Sequence, residues 1–164
     1  MVDLTDGQIA DFFRRSYSAV DGLWFMKLEE AAGFEQALDI DVRVWQIMPK
    51  IQARKMKELT GLDRGVGALH DCLTTKFRIE GFGFTSSREA DGSGFTIRIA
   101  RCPWYDLLVK SKREHLAGTI GTRICNAEFN TWASEFGEGI RFSLGDQLCR
   151  ACQQCVMRFQ LRPL

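Results

Sequence analysis

The spacing of hydrophobic positions changes once along the chain, near residue 75. Before that point the period is helical. Thr5 or Asp6 can cap a first helix carrying Ile9, Phe12 and Phe13, with Arg14 and Arg15 behind. Asp21 can cap a second, short helix. There Leu23, Trp24, Phe25, Met26 and Leu28 leave almost no polar face, which is the pattern of a central, buried element. Gly33 closes it at the usual C-terminal glycine position. From Phe34 to Leu59 the pattern is helical again, and Pro49 should kink or split the run near Met48. Ile51, Met56 and Leu59 continue one stripe among Lys50, Arg54, Lys55 and Lys57, a basic cluster expected on a solvated face. Gly61 ends that helix, and a further short helix covers Val66 to Thr74.

Beyond it the period becomes two. Lys76 to Phe84 alternates and is rich in Phe and Ile. Asp91, Gly92, Ser93 and Gly94 make a turn, after which Phe95, Ile97 and Ile99 alternate with Thr96, Arg98 and Ala100. This predicts two antiparallel strands on a long hairpin, with Phe77, Ile79, Phe95, Ile97 and Ile99 on the shared inner face. Gly81 and Gly83 weaken the first strand and mark a bulge or a close approach of ligand. A helix follows Cys102-Pro103 from Tyr105 to His115, Gly118 to Gly121 break the chain, and another helix runs from Arg123 to Phe136. Two closing strands hold Ile140, Phe142 and Leu144, then Cys155, Met157, Phe159 and Leu161. The expected fold class is α+β. An N-terminal helical layer packs on a four-stranded antiparallel sheet, with two helices inserted between the strand pairs. Residues 1–164 read as one domain, helical to residue 75 and sheet- and cysteine-bearing from residue 76.

Composition narrows the function classes. Lys plus Arg is 22 and Asp plus Glu is 21, so the chain as a whole has no electrostatic footprint for nucleic acid or an anionic membrane. No stretch approaches the ~20 apolar residues of a membrane span, and the acidic N-terminus is unlike a signal peptide. A cytoplasmic location is expected, with the six cysteines as thiols. Walker, dinucleotide, zincin and serine-hydrolase motifs are all missing from the sequence.

The candidate chemistry lies on the cysteines. Cys102 precedes Pro103, which favours the first position of a helix, so Cys102 is an expected N-cap where the dipole would favour a thiolate. Cys125, Phe129, Trp132 and Phe136 form one buried stripe, and Glu128 sits inside it. A carboxylate there must be paired, protonated or bound to a cation, with Arg123 or Arg98 as structural partners. Cys149, Cys152 and Cys155 have the C-x2-C-x2-C spacing of part of an iron–sulfur motif. Cys102 or Cys125 would supply a fourth ligand, and zinc suits the same thiolates. Buried structural thiols are the alternative at each position. Cys72, His70 and His115 read as packing or helix-end residues.

The series Asp21-Gly22-Leu23-Trp24-Phe25, Gly33-Phe34-Glu35, Val44-Trp45, Arg101-Cys102-Pro103-Trp104, Cys125 with Glu128 and Trp132, and terminal Cys149 and Cys155 resembles the DUF6125 family. That family is similar to the L-2-amino-thiazoline-4-carboxylate hydrolases, and the end of the chain resembles vinyl-reductase-type small-molecule-binding domains. The resemblance implies a small-molecule site near Cys102, Cys125, Glu128, Cys149 and Cys155. The leading expectation is hydrolase-like chemistry on a C–N or ring bond. Cys102 would be nucleophile or metal ligand and Glu128 the proton carrier, with metal, if held, on Cys102, Cys125, Cys149, Cys152 and Cys155. The alternative is a non-catalytic zinc or iron–sulfur sensor of ligand or redox state. The expected partners are a small molecule and, in a homo-oligomer, further copies of the chain; nucleic acid and membrane are not expected.

Overall fold

The computed structural model describes residues 2–162. The chain divides into two compact units, residues 1–41 and 42–164. The first unit is mostly one helix, α1 (Asp6–Ala32), followed by the start of α2 (Phe34–Val44). Thr5 caps α1 in a capping box. Its hydroxyl accepts from the Gln8 N–H at 3.3 Å, and the Gln8 side-chain oxygen accepts from the Thr5 N–H at 2.9 Å. Two helices were expected here, but α1 runs unbroken through Asp21 and Gly22. A lone glycine costs only about 1 kcal/mol, and i,i+3/i+4 pairs such as Arg15–Asp11 (2.6 Å) and Lys27–Glu30 (2.7 Å) support the helix on either side. Nor is the segment around Trp24 buried: no residue of α1 is, and Leu23 and Trp24 are exposed. Gly33, at φ 87°, ends α1, and Phe25 packs edge-on against Phe34 at 6.0 Å.

In the second unit α3 (Met48–Thr60) begins where Pro49 predicts, with the proline in its first turn. Gly61, in the left-handed region, closes it. The helix α4 spans Gly65–Glu80, six residues beyond Thr74. Residues 76–80, expected in a strand, are therefore helical. Phe77 is buried on the helix beside Leu69 and Leu73, whereas Ile79 is exposed and not on the sheet. Both periods fit so short an apolar run. The pairing of Lys76 with Glu80 four residues on, at 2.6 Å, belongs to the helix.

The strands are β1 (Gly83–Arg88), β2 (Gly94–Arg101), β3 (Ile140–Leu144) and β4 (Cys155–Leu161), all antiparallel in the order β1-β2-β4-β3. The fold class is α+β as expected, and α5 (Pro103–Lys110) and α6 (Ala117–Phe136) lie between the strand pairs in sequence. Phe95 and Ile97 of β2 lie opposite Phe159 and Met157 of β4, and the Phe95 and Phe159 rings stack at 4.7 Å. With Leu73 and Phe77 of α4 and Phe129, Trp132 and Phe136 of α6, they make one core. The register slips between Gly83 and Phe84, where a glycine irregularity was expected.

The two glycines expected to break the chain lie inside α6 instead. A Cβ on Gly121 would stand 3.1 Å from Cys149 Sγ, so this glycine admits a close neighbour. The preceding helix stops at Lys110, and His115 lies in a 3-10 turn, Glu114–Leu116. Gly94 is tighter still: a Cβ would meet the Phe159 carbonyl oxygen at 2.7 Å. Gly94→Ala is expected to cost about 1–3 kcal/mol by forcing β2 from β4. An unchanged urea midpoint would show that this strand pair has slack.

The near-neutral total conceals a segregation of charge. Residues 1–41 hold nine carboxylates against three basic side chains, net −6, and residues 42–164 hold 12 against 19, net +7. Among the described residues no helix is long and apolar enough to cross a membrane.

Candidate functional site

The cysteines separate by location. Cys72 is fully buried in the core, its sulfur 3.6 Å from the Thr60 hydroxyl. The other five lie in the C-terminal half, and all six are free thiols. Cys102 is the N-cap of α5, as its place before Pro103 predicts. Cys125 stands on α6, and Cys155 opens β4. These last three come from separate elements and pack, half-buried, against the same core. Cys149, in a 3-10 turn at Leu148–Arg150, sits over Gly121 and donates its S–H to Gln147 Oε1 at 3.5 Å. Cys152 turns to the Arg150 carbonyl at 3.8 Å.

The electrostatics are those of neutral sulfur. Burial pushes the Cys102 thiol up to about 12, against the opposing pull of the Tyr105 and Trp104 backbone N–H groups. The helix end was expected to favour a thiolate. Desolvation of a charged sulfur outweighs the few N–H groups of an eight-residue helix. Burial first, then Cys102 and Glu128, hold Cys125 well above the ordinary thiol range. Cys155 and Cys149 are also raised, by burial first. Cys155 accepts the Leu148 N–H at 3.3 Å. Cys102, Cys155, Cys149 and Glu128 all act on Cys125, so the sequence-predicted residues do share one neighbourhood, except that Cys152 acts on Cys149 and Cys155 at its edge. Among the described residues, however, no three Cys, His, Asp or Glu side chains are placed to hold a metal ion. The side chains as arranged do not fit a zinc or iron–sulfur centre.

Glu128 is buried and has a partner that sequence reasoning missed. Lys76 Nζ lies 2.7 Å from Glu128 Oε1 and 2.6 Å from Glu80 Oε2, with Lys76 and Glu128 almost fully enclosed. Burial opposes the Lys76 charge, but the two carboxylates prevail and its pKa is raised. Arg98 and Arg123 were the partners considered. Lys76 escaped notice because the period-two reading placed it on a strand. Its i,i+4 relation to Glu80 was the available signal.

A second cluster resembles catalytic geometry. His70 Nε2 lies 3.1 Å from Ser86 Oγ, and Nδ1 lies 2.9 Å from Asp71 Oδ1. Arg88 Nε, though, donates to the same Nδ1 at 3.1 Å, and its guanidinium also pairs with Asp71. Nδ1 thus faces both a carboxylate that only accepts and a guanidinium that only donates, and these two neighbours call for opposite tautomers. For Asp71, burial raises the pKa, but the bonds from His70 and Arg88 outweigh it and hold the carboxyl below its ordinary range.

The DUF6125 family, described as a family of unknown function, matches residues 6–141. The chain belongs to this family. The match takes in Cys102, Cys125 and Glu128 and stops before Cys149. No curated protein sequence matches the DUF6125 chain. Among solved structures it is similar to a trafficking protein particle complex subunit 3 from Naegleria fowleri, covalently bound to palmitic acid. The TM-score is 0.50 at 11% identity, over 94% of this chain and 95% of that one. At that identity the likeness is one of fold.

Proposed function

We propose that this DUF6125 chain is a small-molecule-binding domain whose ligand sits against Cys102, Cys125 and Cys155. The observation that carries this is the convergence of three unbridged thiols from β2's end, α6 and β4 on one edge of the core. Neutral sulfurs offer a soft, polarisable, weakly polar wall. The negative field of Glu128 reaches both Cys102 and Cys125 and disfavours an anionic group there. A neutral acyl or similarly apolar group suits such a wall. The fold neighbour, which holds palmitic acid, lends that ligand class support.

Hydrolase-like chemistry is the finer version of the same reading. Cys102 is the nucleophile candidate, since the Tyr105 and Trp104 N–H groups face its sulfur, and Glu128 is the proton acceptor candidate. At pH 7 a thiol of pKa about 12 is ionised in roughly one molecule in 10⁵, and Glu128 is held by Lys76. The geometry therefore favours binding over turnover.

The test is iodoacetamide labelling of each cysteine, read by mass spectrometry, with and without methyl palmitate as the neutral acyl probe. Cys102 is expected to label slowly through pH 9 and more slowly with the probe, while Cys152 labels alike in both. Labelling of Cys102 and Cys155 indifferent to the probe, with no saturable binding, would overturn the acyl reading. Stoichiometric zinc or iron in protein purified without oxygen would replace it with a metal–thiolate site. Turnover of a thiazoline carboxylate, lost in Cys102→Ala, would establish the hydrolase.

A further inference from the structure

The first unit presents a surface that the function above does not use. Six large apolar side chains of α1, Ile9, Phe12, Phe13, Val20, Leu23 and Trp24, are between 40% and 73% exposed. At 100° per residue they fall within an arc of about 120° along about 22 Å of helix. Together they offer on the order of 600 Å² of apolar surface, given the 150–250 Å² of a single aromatic side chain. That is the upper end of the largest patch on an ordinary monomer. It approaches the ~800 Å² that each partner contributes to a standard specific interface.

We infer that this stripe is a homodimer interface, covered by the α1 helix of a second copy running antiparallel. The argument for a second copy is self-complementarity, which a two-fold interface requires. Four of its six side chains pair on inversion about the point between Ser16 and Tyr17, while Phe12 falls opposite Asp21 and Leu23 opposite Ala10. Inversion about that point sets Ile9 opposite Trp24 and Phe13 opposite Val20, large against smaller at each level. The same inversion sets Asp6, in the first turn, opposite Lys27, in the last part of the helix. Opposite charges thus meet at both ends only in the antiparallel arrangement. Ser16, small and central to the stripe, lets the two backbones approach where they cross. Each copy carries a net charge of only +1, so whole molecules meet without strong repulsion. The acidic excess of residues 1–41 is screened beyond ~8 Å at physiological salt. On α1 itself, Asp11 is paired with Arg14 and Arg15, and Glu30 with Lys27.

The experiment is sedimentation of the full chain from low to high micromolar concentration, with helicity checked by circular dichroism. A dimer is expected. Phe13→Glu with Trp24→Glu should weaken it by about a hundredfold or more, since two buried aromatic anchors are lost from each copy. Both positions are exposed in the single chain, so the variant keeps its helix content. Asp6→Lys or Lys27→Asp alone should weaken the dimer about tenfold, and the two together should restore it. A monomer at every concentration overturns the inference, including one that instead sediments with phosphatidylcholine vesicles. So does a dimer indifferent to the two glutamates, or one that the double charge exchange fails to restore.

Discussion

Lys76→Ala is expected to lower stability by about 3–5 kcal/mol, read as a shift of the urea midpoint at constant slope. The reason is the company Lys76 keeps. Its ammonium is the ion-pair partner of a carboxylate that is itself nearly inaccessible, Glu128, and donates a hydrogen bond to Glu80 beside it. Removing the cation takes from the buried Glu128 the ammonium 2.7 Å away, and desolvated charge is what makes broken buried pairs costly. The double variant Lys76→Met with Glu128→Gln is expected to recover most of the loss, because the charge is removed from both sides. The pH dependence has a definite sign. The folded pKa of Lys76 is raised above its ordinary 10.5. Its contribution is therefore complete below pH 10.5 and is lost as pH rises through the folded value. A midpoint shift in Lys76→Ala worth less than about 1 kcal/mol would mean that water reaches Glu128.

Trp132→Ala is expected to cost a similar amount, about 3–5 kcal/mol. The indole is fully enclosed, stacks on Phe136 at 6.0 Å, and lies where α6 meets the core. Few side chains leave so large a void when cut back to a methyl group. Trp132→Phe separates the two ways in which the ring acts. The Trp132 Nε1–H has no hydrogen-bond partner among the described residues, so the phenyl ring gives up volume while removing a buried donor that is a liability. A loss of about 1–1.5 kcal/mol is expected for Trp132→Phe. A loss equal to that of Trp132→Ala would show that the N–H makes a bond, most simply to an enclosed water.

These two residues and Cys102 make one point about the site. Glu128, the carboxylate that sequence reasoning offered as a proton carrier, is held by a lysine, and the thiol offered as a nucleophile is held neutral by its surroundings. The ionisation of the Cys102 thiol is set by burial, and Glu128 is held by a partner distant in sequence.

The features legible in the sequence are the ones that neighbours along the chain enforce. Thr5 and Gln8 make their capping box within four residues, Pro49 and Pro103 start helices because the ring fixes φ, and Gly33 and Gly61 end them at positive φ. The alternation in β2, β3 and β4 and the Phe129–Trp132–Phe136 stripe of α6 follow from the need to bury one face. What local sequence left open was decided by contacts at long range. Residues 76–80 fit either period until Glu128, some fifty positions on, fixes Lys76 on a helix. Gly118 and Gly121 look like a break until the Cys149 turn arrives against them. Leu23 and Trp24 look like core, yet no residue of α1 is buried. Likewise the thiols become one neighbourhood only when β2, α6 and β4 meet. Desolvation, which sets their ionisation, depends on that enclosure and not on spacing along the chain.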